Sequence, residues 1–188
     1  MTEPDLLLSG ERVALGPLRR DLAETYARWM NQPDVRFGAE FLAIATPESQ
    51  ESWVDEMNKA ASQNSAESVW FTIYDLTDRT PVGTTGLMDI SHMQGGATFA
   101  ISLGERRGQG LGSEATRLVL DWAFHVLGLQ NVLLETLAWN EAAIRAYEKA
   151  GFRRIGVRRG AALSRGKRAD VIVMDAIPAD FGESALAS

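Results

Sequence analysis

Between Leu103 and Glu114 the chain reads LGERRGQGLGSE, where an alternating apolar segment runs through Gly104, Gly108, Gly110 and Gly112 into the apolar period of a helix. Glycines alternating at a helix start weaken folding, because glycine loses more backbone freedom than any other residue. Their use is close approach of a backbone and access to positive φ. A helix start adds unpaired N–H groups and about half a positive charge. The segment therefore predicts an anion site, and a phosphate fits it. What the loop lacks narrows the ligand. A mononucleotide loop ends in Gly-Lys-Ser/Thr, whereas Gly112 is followed by Ser113 with no lysine. The dinucleotide pattern G-x-G-x-x-G also fails, since the spacing here is Gly108-x-Gly110-x-Gly112 after a meander of strands. An arginine-led R-x-x-G-x-G loop that needs no metal remains.

The 188 residues, 45% hydrophobic and 23% charged, match a soluble domain. A chain of this length buries roughly 70% of its unfolded surface, so its core needs no metal or disulfide. The lack of cysteine excludes a disulfide framework, a thiolate zinc site and a cysteine nucleophile. Two histidines, His92 and His125, leave few ways to build a metal cage or a Ser-His-Asp relay. No export signal or long apolar run is present, so a cytoplasmic chain without a membrane span is expected. The net charge of −6 argues against nucleic-acid or anionic-membrane partners and favours cationic substrates. Residues 1–100 hold 7 basic and 15 acidic side chains, and residues 101–188 hold 12 and 10. The second half thus suits an anion and the first a cation, unless the asymmetry is the scatter of a solvated surface.

No repeat or linker divides the chain, so a single domain over 1–188 is expected, with a core over about residues 10–177 and a loose tail from 178. Strands are predicted over 12–18, 69–76, 82–90, 97–103, 132–138, 154–161 and 169–177. Helices are predicted over 22–31, capped by Asp21 and ended by Pro33; from Thr46-Pro47 to about 63; over 111–127; and over 141–150, capped by Asn140. Gly151-Phe152 supplies the left-handed residue and apolar contact of a Schellman ending. In the helix from Leu111, Leu111, Ala115, Leu118 and Trp122 form an apolar row flanked by Val119, Ala123 and Val126, with Arg117 and Asp121 outside it. His125 falls at the edge of that face, where a histidine packs its ring.

The loop Arg107-Gly108-Gln109-Gly110-Leu111-Gly112 resembles the Q/R-x-x-G-x-G/A pyrophosphate loop of the GNAT superfamily of acyl-CoA-dependent N-acyltransferases. Asn140 followed by Tyr147, Gly151 and Phe152 is similar to that family's second motif. Ser9-Gly10-Glu11-Arg12-Val13, Trp29 to Arg36, and Gly112-Ser113-Glu114-Ala115 are similar to the RimJ/RimL-like branch, which acetylates ribosomal-protein N-termini. The resemblance implies an α+β fold with a mixed, mostly antiparallel splayed sheet of about six or seven strands flanked by about four helices. It places a pantetheine arm between strands 97–103 and 132–138, bonded by backbone at Ile101 and Ser102. N–H groups from Arg107 through Gly108, Gln109, Gly110 and Leu111 to Gly112 would hold the pyrophosphate, Arg106 and Arg107 would face that anion, and Asn140 would touch the cofactor. Two departures from the family pattern are Thr98, where relatives commonly carry glutamate, and Ala143, a position often filled by serine.

The implied reaction moves acetyl from acetyl-CoA, a co-substrate requiring no metal, to a primary amine. It needs a neutral amine, an oxyanion site and a proton for the departing thiolate. Without cysteine, direct attack in a ternary complex is expected. Tyr147 is similar in placement to the family's thiolate-protonating tyrosine; core packing is its other role. Asp89 is the best-placed carboxylate for a base, with amine orientation or a water chain equally open. A lysine-like amine costs about 4–5 kcal/mol to deprotonate at neutral pH and an α-amine only about 1 kcal/mol. The acceptor is thus a protein N-terminal amine or a small cationic amine, and the chain a monomer or homodimer. The alternative is a catalytically weak CoA-binding sensor or interaction module. His92 either titrates usefully or is a solvated loop residue. Trp29, Phe37, Phe41 and Trp53 line an acceptor pocket or pack the two N-terminal helices together.

Overall fold

The structure, a computed structural model, describes residues 3–38, 43–63, 66–182 and 184; Phe41 falls outside them. The strands are β1 (Leu8–Ser9), β2 (Val13–Pro17), β3 (Val69–Asp75), β4 (Thr80–Ser91), β5 (Gly96–Leu103), β6 (Asn131–Leu137), β7 (Arg153–Ser164) and β8 (Lys167–Ala176). The α-helices are α1 (Ala23–Met30), α2 (Pro33–Gly38), α3 (Pro47–Ala61), α4 (Leu111–His125), α5 (Glu141–Ala150) and α6 (Pro178–Phe181). One open sheet takes the order β1-β2-β3-β4-β5-β6-β8-β7. Every neighbouring pair is antiparallel except β5 and β6, which run parallel on either side of the α4 crossover.

Period-2 alternation divides the core between the two faces of the sheet. Phe71 and Ile73 of β3 join Val13, Leu15, Leu87 and Phe99 beneath α4 and α5. Tyr74 points the other way, into a cluster with Leu18, Leu22, Tyr26, Trp29 and Val54 under α1 and α3. Thr46 opens α3 with a reciprocal cap: its Oγ1 accepts from Ser49 N at 3.2 Å, and its N donates to Ser49 Oγ at 3.0 Å. The Schellman ending of α5 is complete, with Phe152 N on the Tyr147 carbonyl at 3.0 Å, Gly151 N on Glu148 O at 3.2 Å, and Gly151 at φ 119°.

Several expectations are corrected. The sheet gains the two-residue β1. Pro33 begins α2 instead of only ending α1, because its fixed φ and missing N–H suit a first helical position. Asp21 does not cap α1: it sits within a 3-10 turn, Arg20–Leu22, and holds Arg19 at 2.8 Å. The tail is not loose at its start, since α6 drives Phe181 into the main core, a burial that stabilises by about 2 kcal/mol. Val126, which ends α4, is exposed, while Asp121 within the helix is buried, with its carboxylate 2.7 Å from His125 Nδ1.

Candidate active site

The parallel pairing of β5 and β6 covers only Gly96–Asn131, Ala97–Val132 and Thr98–Leu133. Beyond Thr98, β5 stays paired to β4 as far as Leu103, and beyond Leu133, β6 stays paired to β8 as far as Leu137. The two strands therefore diverge into a fork with its vertex at Thr98 and Leu133, and the facing edges of 99–103 and 134–137 do not pair with each other. Ile101 and Ser102, half-buried, lie on one arm of this fork.

At the end of that arm the glycine loop enters α4. Gly108 and Gly110 have φ of 76° and 86°, and Gly110 stands at the helix start with no side-chain cap. The first intrahelical bond runs from Glu114 N to Gly110 O at 3.3 Å, which leaves the N–H groups of Leu111, Gly112 and Ser113 without a helical acceptor. Residues 107–110 are exposed, and a Cβ on Gly108 would meet nothing within 4 Å. Gly112 has a packing reason of its own: a Cβ there would stand 3.2 Å from Leu103 Cδ1.

The arginines of the loop are committed elsewhere. Arg106 was expected on the anion, but its guanidinium binds Asp75 Oδ2 at 2.6 Å and Asp78 Oδ2 at 2.5 Å on the β3–β4 hairpin, so its charge is already neutralised there. Hydrogen bonds from Arg106 hold both carboxyls below the usual carboxylate range. Their stabilising effect is present above the unfolded carboxyl range, about pH 4, and is lost as pH falls. Asp75→Asn is therefore expected to flatten the acid-side fall of Tm between about pH 5 and pH 2, followed by thermal melts; an unchanged slope would show that the cluster does not couple to folding. Arg107 folds back onto Leu103 O at 2.7 Å, the side-chain carbonyl of Gln32, and Asp34 at 3.8 Å.

Tyr147 of α5 packs edge-on against Phe99 at 6.3 Å and Phe152 at 6.2 Å. Phe99 is the first residue of β5 past the vertex, so the Tyr147 ring stands beside the point where the strands part. Burial pushes its phenol up to about 12. Asp89 follows Met88, the antiparallel partner of Thr98, and so is also one residue from the vertex level. It is exposed, at φ 52° in the irregular stretch where β4–β5 pairing is interrupted, a conformation aspartate tolerates better than most residues. His92 and Glu67 line an open depression with it. Asn140 uses Oδ1 to accept from Ala143 N at 3.3 Å, leaving its amide donor for any further contact. Of the aromatic set, Trp29 and Trp53 pack with Tyr26 and Trp70, while Phe37 is exposed.

Sequence reasoning places Phe37 in an acceptor pocket or in helix packing and assigns no role to Arg165 or Trp139. Its guanidinium lies 5.5 Å from the Phe37 ring and 5.2 Å from the Trp139 ring, with an Asp34 carboxylate at 3.7 Å. Trp139 lies two residues past the β6 arm, and Gln32, just before α2, donates from Nε2 to Gly104 O, just past the β5 arm, at 3.1 Å. Arg165 thus bridges the open end of the fork. On the same hairpin Ser164 Oγ is buried with no hydrogen-bond partner among the described residues. An exposed tryptophan just before the Asn140 cap was the available signal; the rest is long-range contact.

A sheet forked beside a glycine-rich helix start, with the half-buried ring of Tyr147 against Phe99, is the arrangement expected of an acyl-CoA-dependent acyltransferase. A family model described as Acetyltransferase (GNAT) domain matches residues 12–153, and the chain belongs to that family. It is 31% identical over 119 residues to probable N-acetyltransferase YjcK of Bacillus subtilis, a stretch that is 61% of this chain and 63% of that one. It is 37% identical over 76 residues to spermidine N(1)-acetyltransferase of Escherichia coli K12, 40% of this chain and 41% of that one. The chain thus spans less than two thirds of the length of these relatives. Its fold matches spermidine N-acetyltransferase from Vibrio cholerae in complex with CoA and spermine at a TM-score of 0.80, with 21% identity over 92% of this chain and 99% of that chain. It also matches ribosomal-protein-S5-alanine acetyltransferase from Vibrio fischeri at 0.79, with 19% identity over 95% and 100%. Among the described residues no group of three or more His, Cys, Asp or Glu is placed to hold a metal, and no helix is long and apolar enough to cross a membrane.

Proposed function

We propose that the chain transfers acetyl from acetyl-CoA to the primary amine of a small cationic acceptor, by direct attack in a ternary complex. The observation that carries the choice of acceptor is the box of Phe37, Trp139 and Asp34 at the mouth of the fork. Two ring faces and a carboxylate recognise a cation, and the internal guanidinium of Arg165 now stands in it. The spermidine acetyltransferases among the similar proteins agree with this reading.

The N–H groups of Gly110 to Ser113 hold the diphosphate, the edges at Ile101 and Ser102 hold the pantetheine arm, and the Asn140 amide donates to it. Bound acetyl-CoA supplies a thioester carbonyl and a thiolate leaving group. As the amine nitrogen bonds to the carbonyl carbon and the C–S bond breaks, Tyr147 gives its proton to sulfur. A phenol pushed up to about 12 is fully protonated at neutral pH, as a donor must be. Asp89 attracts the cationic amine to the vertex; one ammonium proton leaves to water before attack, and the second N–H proton, lost as the amide forms, returns through water to the Tyr147 phenolate.

A second reading, an N-terminal amine on a protein as in the RimJ/RimL-like branch, is favoured by Thr98. A hydroxyl at the vertex cannot act as a base, and an α-amine needs the least help to lose its proton. Thiol release from acetyl-CoA, measured with spermidine, spermine and unblocked peptides, separates the two. Polyamines are expected to lead, and peptides leading would select the second reading. CoA binding with no thiol release from any amine would make the chain a binding module. Trp139→Ala is expected to raise KM for the cationic amine about 3- to 10-fold and leave KM for acetyl-CoA unchanged.

A further inference from the structure

Arg12, in the turn joining β1 to β2, donates from Nη1 to the carbonyl of Gln109 at 2.9 Å. The same Nη1 stands 4.0 Å from the place a Cβ on Gly110 would occupy. Gln109 lies between two glycines of positive φ, so local backbone preference does little to fix how the peptide from Gln109 to Gly110 is turned. No peptide bond here is cis, and in a trans peptide the carbonyl and the following N–H point in opposite directions. Drawing the Gln109 carbonyl to one side therefore turns the Gly110 N–H to the other.

The turn that carries Arg12 is itself clamped to the helix. Glu114 Oε1 accepts from Arg12 N at 2.8 Å and from Val13 N at 3.2 Å, and Leu76 N reaches the Arg12 carbonyl at 2.8 Å. Space for that carboxylate exists because residue 10 is glycine; a Cβ there would lie 2.5 Å from Glu114 Oε1. A closed path thus runs from the first turn of α4 through the β1–β2 turn and back to the loop. Arg106 and Arg107, by contrast, hold the flanks of the loop to other elements.

We propose that Arg12 is the positioning residue of the diphosphate loop: it sets the direction of the Gln109–Gly110 peptide so that the Gly110 N–H joins those of Leu111 to Ser113 around one anion. This rests on the reading of the loop as the CoA diphosphate site. The test compares the dissociation constants of CoA and of pantetheine, which lacks the diphosphate, by calorimetry and by competition. Arg12→Met is expected to weaken CoA about 5- to 10-fold and leave pantetheine unchanged, and Arg12→Lys, which keeps a donor, to return CoA affinity to within about threefold of the native chain. General damage to the fold would weaken both ligands together, and that result, or unchanged CoA affinity in Arg12→Met, overturns the proposal. If the native chain binds CoA no more tightly than pantetheine, the diphosphate reading of the loop fails first.

Discussion

Replacing Tyr147 with phenylalanine is expected to lower kcat by about 10²- to 10³-fold, with the dissociation constant of acetyl-CoA held within about twofold. The ring contacts to Phe99 and Phe152 survive the change, so the variant keeps its packing and loses only the hydroxyl. In the proposed reaction that hydroxyl gives its proton to the departing sulfur. Its raised pKa also fixes a sign. A donor that releases its proton only near pH 12 imposes no alkaline loss of rate between pH 7 and pH 9, so any limb in that window belongs to the amine. Steady-state rates over that range check both points. A phenylalanine variant with native turnover would leave Tyr147 as a core residue.

The largest stability effect is expected at Gly104, where β5 meets the loop. A Cβ there would stand 2.0 Å from Trp29 Cγ and 2.1 Å from Cδ1, well inside contact distance. Trp29 has no easy retreat, since its ring packs on Tyr26 at 5.9 Å and its Nε1 donates to Glu105 at 3.1 Å. Gly104→Ala therefore overpacks a filled site and should cost about 3 kcal/mol. For a chain of this size that lowers Tm by about 6–12 °C. Adding Trp29→Ala relieves the clash, so the double variant should lose less than the two single changes together. Melting curves of the three variants decide it, and a native Tm for Gly104→Ala would refute the close approach.

The parts of the fold legible in the sequence were those written in local chemistry. Thr46-Pro47 and Asn140 announced helix starts because capping needs only a few neighbouring atoms, and Gly151-Phe152 announced a helix end for the same reason. The strand meander from 69 to 103 was readable from period-2 alternation and its glycine turns. Sheet order was not: β7 and β8 form a hairpin, and nothing local says which of them lies against β6. Two-residue β1 carries no period at all. Pro33 was ambiguous because the same ring closes one helix and suits the first position of the next. At the candidate site, the glycine loop and Tyr147 could be found from motif and face. The partners of Arg106, the reach of Arg12 and the setting of Arg165 could not, since each joins residues at least 25 apart whose meeting depends on the whole sheet.

The three residue pairs that join β5 to β6 divide the sheet into two panels, five strands on one side and three on the other. With so short a seam, little backbone bonding resists their parting, and the helices packed across it carry most of that duty. A molecule laid along the opening touches both panels at once and acts as a rivet, so occupancy makes the whole sheet mechanically continuous. In the proposed reaction the acyl donor would therefore be a fastening of the architecture as well as a reactant, loosened and renewed at each turnover.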